Sequence, residues 1–61
     1  MNKLTELRLK ANINMAQLAK RAELTTVYIH ELECGKKNNP SFNTLKKLAQ
    51  ALNVSVNELM D

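Results

Sequence analysis

Apolar positions along the chain recur at helical spacing, and each run opens at a cluster of cap-forming polar residues. Leu4, Leu7 and Ala11 fall at i, i+3 and i+7, one face of a 3.6-residue helix with Arg8 beside it, which predicts a first helix over about 3–11 that ends at Asn12. Asn14 followed by Gln17 has the spacing of a capping box, with Ile13 placed ahead of it as a hydrophobic staple. A second helix over about 15–21 is therefore expected, burying Leu18, Ala19 and Ala22. Thr25 is the next N-cap and opens a third helix over about 26–34, with Ile29 and Leu32 on its inner face and Gly35 as its left-handed exit. After the loop Lys36-Lys37-Asn38-Asn39-Pro40, Ser41 caps a fourth helix over about 42–52 that buries Leu45, Leu48, Ala49 and Leu52. Ser55 and Glu58 repeat the capping-box spacing for a last short helix over about 56–60. Helices shorter than about 12–15 residues are marginal in isolation. The expectation is an all-α, compact five-helix bundle over residues 1–61, a single domain, with Leu18, Ala19, Leu24, Ile29, Leu32, Leu45, Leu48 and Leu52 buried together.

Composition supports this reading and removes several classes of function. Glycine and proline occur once each and the aromatic residues are Tyr28 and Phe42, leaving a helix-forming background of Leu, Ala, Lys, Glu and Asn. A chain of 61 residues buries only about 60% of its unfolded surface, so efficient packing has to hold it together. Cys34 stands alone, which excludes an internal disulfide, and no Cys/His cluster has metal-ligand spacing. Neither a metal nor another cofactor is expected, and no small-molecule ligand is evident. No apolar run is long enough for a membrane span or a signal-peptide core, and a reduced, cytoplasmic setting is expected.

Nine Lys and Arg against six Asp and Glu give a net charge of +3, a weak pointer to a polyanionic partner taken alone. Its distribution says more. Four lysines and no acid lie between Lys36 and Lys47, whereas Thr25 to Gly35 holds two glutamates and no Lys or Arg.

Met15 to Cys34 carries the informative arrangement: a short helix, a tight connection through Ala22-Glu23-Leu24, and a second helix. Small Ala19 sits where the two would cross closely, and Leu24, Ile29 and Leu32 supply a shared core. This suits an angled helix pair that props its second member into the major groove. In order and at nearly the family spacing, Leu7-Arg8, Leu18-Ala19, Tyr28-Ile29, Leu32-Glu33 with Gly35-Lys36, Pro40-Ser41, Leu45 with Leu48-Ala49-Gln50-Ala51-Leu52, and Val54-Ser55 with Glu58-Leu59 resemble the Cro/C1-type (XRE) helix-turn-helix family. The resemblance implies a phage-repressor-like bundle whose third helix reads DNA. Two positions depart from the family pattern: Met15 stands where Gln is usual, and Glu23 where Gly is preferred in the turn. A non-Gly residue is uncommon in the left-handed region, so the turn is either strained or shaped differently.

Thr26, Val27, His30 and Glu31 point away from the Ile29/Leu32 face. They are either a solvated surface or a base-reading set, with Val27 and the Thr26 methyl against thymine methyls and Glu31 accepting from cytosine N4. Tyr28 is either partly core or, as the resemblance implies, a phosphate donor. Lys36, Lys37 and Asn38, directly after the reading helix, suit backbone contacts that position the protein without specifying sequence. Lys46 and Lys47 read as solubilising charge, and Lys20 and Arg21 as complements of a helix dipole. The resemblance also implies an ion pair between Arg8 and Glu33 that locks the first helix onto the third, in the bidentate geometry a guanidinium favours.

No paired carboxylates, Ser/His/Asp set or Gly-rich phosphate loop is present, so an enzyme is not expected. The first reading is a transcriptional regulator, a repressor, bound as a homodimer to double-stranded DNA at a palindromic operator. The second is an antitoxin or protein-interaction adaptor on the same scaffold. Val54, Val56, Leu59 and Met60 exceed what one short helix can bury against its own domain, so an isologous dimer through Val56 and Met60 is expected, with Leu59 turned inward.

Overall fold

A computed structural model describes residues 1–60. Its regular elements are five helices: α1 Asn2–Lys10, α2 Met15–Ala22, α3 Thr26–Glu33, α4 Phe42–Leu52 and α5 Val56–Met60. No strand occurs among the described residues.

The local signals act where the sequence puts them. Asn14 Oδ1 accepts from the Gln17 amide at 2.8 Å while Gln17 Oε1 accepts from the Asn14 amide at 2.8 Å, closing the capping box of α2. Thr25 Oγ1 accepts from the Tyr28 amide at 3.1 Å, and Ser41 Oγ from the Thr44 amide at 3.2 Å. At the start of α5, Glu58 Oε2 accepts from the Ser55 amide at 2.8 Å, and Ser55 Oγ accepts from the Glu58 amide at 3.3 Å. Each of these bonds spans three residues and satisfies an amide that a helix start would otherwise leave unpaired.

Three helix ends share one device. After α1, α2 and α4 the chain passes through a left-handed residue, Asn12 (φ 59°), Glu23 (φ 58°) and Asn53 (φ 58°). The following amide reaches back five residues in each case: Ile13 to the Arg8 carbonyl at 3.4 Å, Leu24 to Ala19 at 2.8 Å, and Val54 to Ala49 at 2.9 Å. These are Schellman closures, built without glycine. Asparagine tolerates the left-handed region, but glutamate has no such preference. The turn at Glu23 therefore keeps the left-handed shape and carries strain.

The core joins all five helices: Leu4 from α1, Leu18, Ala19 and Ala22 from α2, Ile29 and Leu32 from α3, Leu48, Ala49 and Leu52 from α4, and Leu59 from α5, with Ile13 from the first connection. Leu4, Leu18, Ile29, Leu32 and Leu48 are fully buried. Helix α2 packs on α3 and α4, and α1 lies across α3 and α5. Two expected core members are corrected: Leu24 and Leu45 are only half-buried. Leu24 leaves α2 at the protein surface beside Val27 and Glu31. Leu45 lines a groove with Met1, Pro40 and Leu59 instead of filling the interior. Leu59 is turned inward as expected, and it is buried with Leu4 where α1 meets α5.

Candidate nucleic-acid interface

The order α2, a left-handed turn at Glu23, Thr25 as cap, then α3 sets one short helix on another. Ala19 makes the close approach possible: its side chain is buried between helices, and its carbonyl accepts the Leu24 amide that closes the turn. The Thr25 cap then fixes the first turn of α3, whose Ile29 and Leu32 are fully buried. The remaining face of α3 is thereby turned to solvent. On it Thr26, Val27 and His30 are exposed, and Val27 is 67% exposed, an apolar side chain held out in water. Cys34, the residue that caps the helix, is exposed as well.

Glu31 differs from its neighbours. Its side chain is half-buried and its Oε1 lies 3.7 Å from Lys37 Nζ. Tyr28, half-buried and packed against the core, presents its ring to the same ammonium, 5.4 Å from ring centroid to Nζ, within reach of a cation–π interaction. Lys37 thus leaves the loop and lies along the flank of α3, while Lys36 and Asn38 are exposed. The structure brings Val27, Tyr28, Glu31 and Lys37 together around one shallow surface, with Glu23 and Leu24 at its edge. Thr26 and His30 stand apart from that surface, on the other side of Val27.

Behind the helix, Arg8 Nε donates to Glu33 Oε2 at 2.7 Å and Nη2 donates to Oε1 at 3.1 Å. Glu33 Oε1 also accepts from Thr5 Oγ1 at 3.0 Å, and Arg8 Nη1 donates to the Ile13 carbonyl at 2.9 Å. The guanidinium therefore ties three segments: α1, the loop into α2, and the end of α3. Thr5 lies one helical turn before Arg8, so its share in the site follows once Arg8 is paired with Glu33. The Lys37–Glu31 contact had no such signal, because it depends on how the chain turns at Gly35.

Elsewhere Lys46 Nζ lies 5.8 Å from the centroid of the exposed Phe42 ring. Val56 is half-buried against its own core, Leu59 is buried, and Met60 is 66% exposed. Among the described residues no helix is long and apolar enough to cross a membrane, and no three His, Cys, Asp or Glu side chains gather where they could hold a metal ion.

A helix-turn-helix scaffold with one exposed helix face and a basic loop after that helix is the class that fold and site define. The sequence model of the helix-turn-helix family matches residues 4–59, and the chain belongs to that family, in its Cro/C1-type (XRE) branch. It is similar to the N-terminal DNA binding domain of SinR from Bacillus subtilis, with a TM-score of 0.89, 29% identity, and coverage of 95% of this chain and 84% of that one. It is also 32% identical over 59 residues to the HTH-type transcriptional regulator DdrOP3 of Deinococcus deserti. That match takes in 97% of this chain but 45% of the relative, so the chain spans less than half the relative's length.

Proposed function

We propose that the chain is a cytoplasmic, sequence-specific DNA-binding domain of a transcriptional regulator that reads the major groove with α3 and acts as a repressor. The observation that carries this reading is the exposed face of α3, which a buried inner face and a bidentate Arg8–Glu33 lock hold rigidly outward. Its first turn offers the Thr26 hydroxyl and methyl and the exposed Val27. Small apolar groups of this kind recognise thymine methyls, and the N-terminal residues of a recognition helix are the ones that meet base edges. His30 and Glu31 follow along the same helix, and Glu31 is a hydrogen-bond acceptor for cytosine N4.

Tyr28 and Lys37 lie beside that face, and with the exposed Lys36 and Asn38 of the following loop they provide the backbone contacts that set register. Neighbours named for DNA binding and for transcriptional regulation support the reading. Repression requires no further chemistry, since a bound domain occludes a promoter by occupancy.

A single helix reads only a few base pairs, so useful specificity calls for two copies on a palindromic operator. The reading includes an isologous homodimer on DNA, with Met60 of each protomer and the accessible edge of Val56 at the two-fold axis. Met60 rims a groove of mixed character, in which Met1, Pro40, Leu45 and Leu59 sit beside Asn2, Lys3, Asn38 and Asn39. The decisive experiment is selection of binding sites from random double-stranded DNA. Enrichment of inverted repeats whose centres lie about 10 base pairs apart supports groove reading and symmetry together. A selected pool with no common sequence defeats the reading.

A further inference from the structure

After α3 the chain folds back on the helix it has just left. Gly35 adopts φ 85°, and the Lys37 amide donates to the Glu31 carbonyl at 3.1 Å. That backbone bond returns the Lys37 side chain to the flank of α3, with Nζ 3.7 Å from Glu31 Oε1 and above the Tyr28 ring. The Glu31 side chain is 20% exposed and that of Lys37 56%. The carboxylate is thus the sheltered member and the ammonium the accessible one. A cation poised beside the reading face is already matched with an anion that belongs to the reading helix itself.

We propose that Glu31 determines specificity through Lys37, holding the ammonium as an internal substitute for phosphate until the correct base is present. The inference rests on the DNA-reading function proposed above. A lysine that already has an anion beside it adds less to counterion release, the effect that drives sequence-independent binding. DNA of the wrong sequence would have to draw Lys37 away and leave the Glu31 carboxylate facing phosphates without its counter-charge, which is unfavourable. A site that presents a cytosine amino group offers Glu31 a hydrogen-bond donor in place of that counter-charge. It satisfies Glu31 and frees Lys37 for the backbone in the same step. Discrimination then comes from a cost imposed on the wrong sequence as well as a gain on the right one.

A double-mutant cycle isolates the coupling. Wild type, Glu31→Gln, Lys37→Ala and the double variant are titrated against a fluorescein-labelled duplex of scrambled sequence about two helical turns long. Anisotropy is followed between about 50 and 200 mM salt, and circular dichroism confirms equal helix content. Glu31→Gln is expected to tighten binding about 1.5- to five-fold, the range an exposed ion pair supports, and to steepen the salt slope by up to about 0.9. In the Lys37→Ala background the same substitution should leave the slope unchanged and most of the affinity gain should vanish. An equal gain in both backgrounds means that Glu31 only repels DNA, and overturns the proposal; no gain in either overturns it too. Wild type that shows no salt-dependent binding to any duplex defeats the DNA reading itself, an outcome distinct from the other two.

Discussion

Arg8 and Glu33, twenty-five residues apart, meet in a two-point contact with Nε–Oε2 at 2.7 Å and Nη2–Oε1 at 3.1 Å, their side chains 11% and 5% exposed. The pair is nearly desolvated, so the cost of taking two charges from water offsets much of their attraction. Its role is orientation: it ties α1 to the end of the helix whose opposite face is exposed.

Breaking one half of that pair should be far more harmful than replacing both. Arg8→Met alone leaves Glu33 sheltered with only Thr5 as donor, and should lower stability by about 3 kcal/mol or more. Arg8→Met combined with Glu33→Leu should recover a large part of that loss. Urea denaturation of the four species measures it. A single variant within about 0.5 kcal/mol of wild type would mean that the lock does not hold α1 on α3.

Among the described residues, Glu23 is the one left-handed residue that is neither glycine nor asparagine. Glu23→Gly should raise stability by about 1 kcal/mol, with Glu23→Asn in between. For a domain of this size that corresponds to a rise in Tm of about 4–8 °C. A thermal scan in which Glu23→Gly melts at or below wild type would contradict the strain assigned to the turn.

Core truncations should separate buried from half-buried leucines. Ile29→Ala and Leu32→Ala each remove a fully buried side chain and should cost about 2–5 kcal/mol, enough to unfold a domain whose total stability is modest. Leu24→Ala and Leu45→Ala remove side chains with a face already in water and should cost less. Equal loss of helical signal for all four at one temperature would refute this division.

On DNA, the exposed Lys36 and the paired Lys37 should not be equivalent. Lys36→Ala should reduce the salt slope by about 1 on every sequence, while Lys37→Ala reduces it by less on a scrambled duplex. Val27→Ala should leave the slope unchanged and relax preference at one or two base pairs. A slope change confined to Val27→Ala would show that α3 does not face the bases.

Much of the architecture was legible because helix starts and stops are local. The Asn14–Gln17 and Ser55–Glu58 bonds, the Thr25 and Ser41 caps and the glycine after α3 join residues no more than a few positions apart. Apolar spacing within each helix likewise assigned Ile29 and Leu32 to one face and Thr26 and Val27 to the other. The family pattern added the Arg8–Glu33 pairing, which no local spacing could supply. What only the tertiary structure decided depends on where helices meet. Helix packing left Leu24 at the surface and Leu45 on a groove, although the spacing had placed both in the core. The path of the chain at Gly35 carried Lys37 back to Glu31 and Tyr28, and the closure between α2 and α3 drew a glutamate into a left-handed turn. Each of these outcomes is set by packing several segments at once, and a residue's neighbours along the chain carry no record of that packing.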